Sequence, residues 1–231
     1  MAERVPTGIQ GLDEVLNGGL IKNRHVLVTG GPGTGKTIMS YEFLYKGAEM
    51  FNQKGLFVSL ELSPERVVES AKILFDWDWD KHLNKNLIIT RIQRNDFDNM
   101  TSIIGAYVEE HGIERVVIDS LTLLSLYFRH EDAYRNNLIE LYEFLSSLNC
   151  TTVVTAEKSY AHREDARYTL EEFASDGVIN LYLLPRKNDR IRVLEVLKMR
   201  DTNHSLSMFP FVIDKDGILI SSKTGIISKI E

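Results

Sequence analysis

The stretch "HVLVTGGPGTGKT", His25 to Thr37, decides the fold. Its first half is apolar or β-branched on successive positions, the pattern of a strand buried on both faces. Its second half, Gly30 to Thr37, fits G-x-x-x-x-G-K-[ST] in full, and a helix-length run, "GKTIMSYEFLYKGAEMF", follows. Glycines let the backbone turn tightly, so that its N–H groups face phosphate oxygens. The helix N-terminus adds about half a positive charge at the same place. The motif therefore predicts a nucleotide phosphate cradle of Gly30, Gly31, Pro32, Gly33, Thr34, Gly35, Lys36 and Thr37. Lys36 is placed to reach the β- and γ-phosphates, and the Thr37 hydroxyl to ligate Mg²⁺.

Further short apolar runs recur along the chain: "GLFVSLE", "NLIITRI", "RVVIDS" and "TTVVTAE". Helix-length stretches separate them. "SPERVVESAKILF" has Ser63 as N-cap and Pro64 at the first helical position. "NMTSIIGAYVEEHG" stops at Gly112, and "EDAYRNNLIELYEFLSSL" precedes the fifth strand. The alternation predicts an α/β fold, a mostly parallel twisted sheet flanked by helices. After about Ser175 the pattern changes. "VINLYLL", "RIRVLEVLKMR" and "MFPFVID" follow one another without helices, and "PRKNDR" is a turn-like link. This predicts a C-terminal antiparallel β extension, too small for a core of its own, so residues 1–231 are expected to form one domain.

Two carboxylates fall at predicted strand ends, the edge of an open α/β sheet where ligands bind. Asp119 ends "RVVID" and can hold Mg²⁺ directly or through a water; the plain alternative is a cap for the next segment. Ser120 follows it and can hydrogen-bond in the same site. Glu61 ends "LFVSLE" and can orient or deprotonate an attacking water; the alternative is a salt-bridged strand terminus. The metal set is thus Thr37 and Asp119.

Composition sets the remaining bounds. The chain has 231 residues, 43% hydrophobic and 26% charged, with a formal net charge of −6. That balance counts against a dedicated duplex-DNA binder, which carries a basic footprint. No apolar run approaches a membrane span, "MAERVPTG" lacks the apolar core of a signal peptide, and Cys150 is the only cysteine, so a cytoplasmic protein is expected. Cys150 reads as a packed thiol. Trp77 and Trp79 lie among Asp76, Asp78 and Asp80, which favours packing over base stacking. His25, His82, His111 and His130 lack metal-ligand spacing.

The lead "VPTGIQGLDEVLNGGL" resembles the T-G-x-x-x-L-D-x-x-L-x-G-G-[LI] lead of the RecA/RadA/KaiC superfamily. "GPGTGKT", "EFLYKGAE", "GLFVSLELSPE", "VVIDS", "TTVVTAE", "RYTLEEFASDGVI", "LEVLKMRDTNHS" and "FPFVI" resemble, in order, one KaiC domain from Pro6 to Gly217. The resemblance implies a RecA-like P-loop ATPase core that assembles into a homo-oligomeric, hexameric ring, with ATP and Mg²⁺ between subunits and a regulatory protein partner as a candidate. It implies that Glu61 activates water; Leu62 stands where the family has a second glutamate. It also implies that Lys198, Met199, Arg200 and His204, within K-[LM]-R-G-[TS]-x-H, reach the neighbouring subunit's ATP. Asp201 replaces the motif's glycine, and either changes the turn or pairs with Arg200.

Residue spacing agrees in part. Lys198 and Arg200, two apart on a strand, share one face and can approach a triphosphate together, as an arginine finger does. A solvated basic strand end is the alternative, and His204 reads equally as a turn histidine. The segment "KSYAHREDARYTLEEF" mixes Lys158, His162, Arg163 and Arg167 with Glu164, Asp165, Glu171 and Glu172, a poor funnel for single-stranded DNA. Three readings beside a slow ATPase stay open: an ATP-gated scaffold, a recombinase-like DNA protein and an autokinase.

Overall fold

The computed structural model describes residues 2–128, 130–158 and 169–222. His162, Arg163, Glu164, Asp165 and Arg167 lie outside them. A short ribbon, β1 (Arg4–Val5) with β2 (Leu20–Ile21), and helix α1 (Leu12–Val15) form the N-terminal lead. Then come β3 (His25–Gly30), α2 (Lys36–Phe51), β4 (Gly55–Ser59), α3 (Pro64–Leu74), β5 (Leu87–Arg91), α4 (Met100–His111) and β6 (Arg115–Asp119). These are followed by α5 (Thr122–Tyr127), α6 (Glu131–Ser147), β7 (Thr151–Glu157), α7 (Leu170–Ala174), β8 (Gly177–Arg186), β9 (Asp189–Met199), β10 (Met208–Asp214) and β11 (Gly217–Ile220).

Nine strands form one sheet in the order β11-β10-β9-β8-β3-β7-β6-β4-β5. β3 to β7 pair in parallel, as the alternating pattern predicts. The last strands need one correction: β8 pairs parallel to β3, so the antiparallel extension begins only at β9. β8 begins just past α7, and its Gly177 pairs with Val26 near the start of β3. The β8–β9 turn runs through Lys187, which adopts φ 52.

The parallel strands are apolar on both faces because helices cover both. One layer joins Leu12, Met39, Phe43, Val67 and Trp79 to one sheet face and to β9–β11. The other joins Ile104, Leu124, Leu138 and Leu145 to the opposite face. Local signals set several boundaries. Ser63 is extended before Pro64 at the start of α3, and Gly112 closes α4 in the left-handed region at φ 65. The tryptophans pack: Trp77 stacks on Phe75 at 3.9 Å, and Trp79 is buried against Tyr41 and Tyr45. Cys150 is buried and donates to the Ile113 carbonyl; burial pushes its thiol up to about 12.

Two buried ionisable side chains fix the P-loop helix α2 to its surroundings. Arg115 is fully buried and donates to the carbonyls of Phe43 (2.8 Å) and Pro6 (2.7 Å) and to Gln53 Oε1 (2.8 Å). It thereby staples the lead segment to α2. Glu42 is buried beneath the β10–β11 turn and accepts the Ile218 N–H at 2.7 Å. Burial pushes its carboxyl up to about 7, opposed by that hydrogen bond and by Lys46.

Candidate active site

Crossovers on both faces of the sheet bring the ends of β3, β4, β6 and β7 to one edge. Pro32, Gly35, Lys36, Thr37, Glu61, Leu62, Asp119, Ser120, Glu157 and Arg192 line a single open cleft there. The loop from Gly30 to Gly35 needs its glycines: Gly33 (φ 73) and Gly35 (φ 108) occupy backbone conformations that L side chains rarely adopt. Gly31 and Thr34 close the turn through a Thr34 Oγ1 bond to the Gly31 carbonyl at 2.8 Å. The Lys36 ammonium lies inside the loop, donating to the carbonyls of Gly30 (2.8 Å) and Gly31 (3.0 Å). Burial lowers its pKa below the ordinary lysine value, against the pull of Glu157 and Asp119.

The Thr37 hydroxyl donates to Asp119 Oδ2 at 2.9 Å, and the Thr155 hydroxyl donates to Asp119 Oδ1. Asp119 therefore does not cap α5; two threonines orient its carboxylate toward the cleft. A hydroxyl and a carboxylate this close form the hard-oxygen donor pair that Mg²⁺ takes, the rest of its shell coming from water and phosphate. Among the described residues no group of three or more His, Cys, Asp or Glu side chains is arranged to hold a metal. The residues thus fit an ion shared with a phosphate ligand and not an all-protein cage.

Glu61 lies just past β4. Ser59 Oγ accepts the N–H groups of Glu61 (3.3 Å) and Leu62 (2.8 Å), which turns the chain and directs the exposed Glu61 carboxylate into the cleft. No ion pair involves Glu61 among the described residues. Leu62, where a second carboxylate was the family expectation, packs against the apolar layer.

Arg192 and Glu157 were not anticipated. Glu157 is the last residue of β7, as Asp119 is of β6, so the strand-end rule would have found it. Arg192 reaches Gly33 from β9, its Nε donating to the Gly33 carbonyl at 3.2 Å. No local signal reveals that contact, because it depends on which part of β9 lies beside the loop.

The tail cluster is elsewhere. Met199 pairs with Gly177, and Gly177 pairs with Val26, four residues before Gly30. At roughly 3.3 Å per residue this puts Met199 about 13 Å along the sheet from the loop, at the opposite edge. Lys198, Met199, Arg200 and His204 are thus not brought to Lys36, Thr37, Glu61 and Asp119 within one chain. Met199 is buried under Gly177. A bulge opposite Val178 and Ile179 shifts the alternation of β9, so that Lys198 and Arg200 face α7 while Met199 enters the core. Lys198 Nζ donates to the carbonyls of Glu172 (2.8 Å) and Phe173 (3.1 Å). His204 Nδ1 lies 3.0 Å from the Ser205 carbonyl.

Asp201 does not pair with Arg200. It keeps a left-handed backbone, φ 55, so it adopts the glycine-like turn, and its carboxylate lies 3.6 Å from Arg24. Arg200 pairs instead with Asp176 at 3.2 Å. Lys158 is tied to the buried Glu172 at 2.7 Å, which removes it from the cations offered to a nucleic acid.

A family model described as "ATPase: KaiC" matches residues 5–225. The circadian clock oscillator protein KaiC of Prochlorococcus marinus subsp. pastoris is 34% identical over 232 residues, covering 94% of this chain and 45% of that protein. KaiC of Synechococcus elongatus is 32% identical over 229 residues, covering 94% of this chain and 44% of that protein. The chain therefore spans less than half the length of these curated relatives. The crystal structure of a KaiC-like protein from the hyperthermophilic archaeon Pyrococcus horikoshii OT3 superposes with a TM-score of 0.86 at 35% identity, covering 95% of this chain and 99% of that one. No helix among the described residues is long and apolar enough to cross a membrane.

Proposed function

The chain belongs to the KaiC family of ATPases, and on that premise we propose that it is a Mg²⁺-dependent ATPase that works as one domain within a homo-oligomeric ring. The observation that carries the reading is the convergence of Lys36, Thr37, Glu61 and Asp119, from three separate segments, on one cleft. In this reading the backbone N–H groups of Gly31 and of Gly33 to Thr37, with the Lys36 ammonium, bind the β- and γ-phosphates of ATP. Thr37 and Asp119 would hold Mg²⁺, which would supply charge neutralisation at the phosphate oxygens. Glu61 orients water for in-line attack and accepts its proton. Lys198 and Arg200 stabilise the transferring phosphoryl group of the adjacent subunit. Their place at the far edge of the sheet supports action across an interface, since they do not reach the cleft of their own chain.

Phosphoryl transfer needs positioned charge more than covalent chemistry, and a full arginine finger is worth about 10³–10⁵ in rate. Turnover here is proposed to be slow, because one carboxylate serves where the family pattern has two. The test is to size the protein with and without ATP and to mix Lys36→Ala with Arg200→Ala chains. Each variant alone is expected to be inactive, and the mixture to regain ATP hydrolysis at interfaces that pair an intact loop with an intact finger. A protein that stays monomeric with ATP, and whose variants never complement, refutes shared sites.

Leu62 favours a second reading, an ATP-gated scaffold in which hydrolysis is incidental. Its side chain is committed to packing and supplies no second carboxylate. A Glu61→Gln variant that binds ATP and assembles normally, with unaltered cellular output, supports the scaffold.

A further inference from the structure

The corner where α7 turns into β8 holds the tail cations in place. Asp176 is the residue at that corner, nearly fully buried at 3% exposure. Arg200 is bound to it twice. The Arg200 backbone N–H donates to the Asp176 carbonyl at 2.9 Å, and its guanidinium donates to Asp176 Oδ1 at 3.2 Å. The Arg200 side chain as a whole is 54% exposed, so its guanidinium is held through one nitrogen and stays open to the outside. Arg24 stands 3.5 Å from the same oxygen, and His25 Nδ1 stands 3.3 Å from Oδ2. Asp176 Oδ2 otherwise has no hydrogen-bond partner. Lys198, two residues before Arg200, is fixed to the carbonyls at the end of α7, which leads into the same corner.

A buried carboxylate is expensive unless cations face it. Here two arginines that emerge at the surface face it, while burial holds the third neighbour, His25, below the ordinary histidine pKa. A free arginine gives up rotamer entropy when it is held. An arginine already held by its own chain loses that freedom on folding and not when it meets a neighbour's phosphate. We propose that Asp176 is a positioning residue that sets the direction of Arg200 toward the adjacent subunit's nucleotide. The proposal rests on the reading of Arg200 as acting across the interface. It assigns to Asp176 no contact with ATP.

The full chain is to be compared as Asp176→Asn, Arg200→Ala and the double variant, measuring kcat, KM, affinity for a fluorescent ATP analogue and assembly with ATP. Asp176→Asn is expected to keep nucleotide affinity and assembly and to lower kcat about tenfold, the scale of one hydrogen bond to a charged group. The double variant is expected to fall within about twofold of Arg200→Ala alone, since Asp176 acts through Arg200. Wild-type kcat in Asp176→Asn beside an impaired Arg200→Ala overturns the proposal and leaves the shared site standing, as do effects that multiply in the double variant. Wild-type kcat in Arg200→Ala overturns both. If Asp176→Asn does not fold, Asp176→Glu keeps the charge and moves the carboxylate by one methylene. A several-fold lower kcat with unchanged ATP affinity is then expected, and unchanged kcat refutes the role.

Discussion

At one edge of the parallel sheet, Lys36, Thr37, Glu61 and Asp119 meet within a cleft built by a contiguous motif and two strand ends. At the other edge, Lys198 and Arg200 stand on a corner made by α7, β8 and a bulge in β9. The first edge is organised by backbone geometry close in sequence. The second is organised by contacts between residues about 25 positions apart, and it lies at the strand ends remote from the chain's own cleft. On the proposed reading, a catalytic apparatus split this way is complete only where two chains meet. Substitutions at the first edge should therefore damage nucleotide binding or chemistry within the subunit that carries them, and those at the second should act on a neighbour.

The largest expected effect is at the cleft. Lys36→Ala removes the charge nearest the phosphates and should lower turnover about 10³-fold, with loss of nucleotide affinity, read by ATP hydrolysis and by titration with a fluorescent nucleotide. Retained affinity would move the phosphate site elsewhere. Glu61→Gln comes next. It should leave binding intact and cut hydrolysis about 10²-fold, the usual worth of a positioned base. An undiminished rate would show that another group activates the water.

The remaining two concern the frame that joins the edges. Glu42 is held above the ordinary carboxylate range, up to about 7, chiefly by burial. The folded chain thus keeps a proton that the unfolded chain releases, so this contribution to stability is present at low pH and is lost as pH rises from the ordinary carboxylate range through about 7. Glu42→Gln keeps an acceptor for Ile218 and carries no charge. It should gain about 2 kcal/mol, roughly 5 °C in Tm, at pH 8 and little at pH 5. Equal melting shifts at both pH values would refute it. The smallest effect belongs to Asp201→Gly. Asp201 already adopts the turn conformation, so stability should change by no more than about 0.5 kcal/mol by chemical denaturation. A larger gain would mean that the aspartate strains the tail.

Much of this was legible in advance because it is written locally. The strands from β3 to β7 declare themselves by unbroken apolar runs, α3 by Ser63 and Pro64, and α4 by Gly112. The cleft residues Lys36, Thr37, Glu61 and Asp119 follow from one motif and from the rule that ligands meet strand ends. Glu157 obeyed the same rule and was overlooked. Arg192, Asp176 and the buried Arg115 carry no such signal, since each acts through partners distant in sequence. The parallel pairing of β8 was hidden because a buried strand reads alike whichever way its neighbour runs.

By itself, then, the sequence determined the α/β class, the phosphate loop and the family, because periodicity and glycine spacing act over a few residues. Tertiary structure alone decided where the tail points. A two-residue spacing puts Lys198 and Arg200 on one face, but the bulge opposite Val178 and Ile179 chose which face, and the pairing of Gly177 with Val26 chose which edge. Register and bulges come from strand-to-strand hydrogen bonding and core packing, which no single strand encodes.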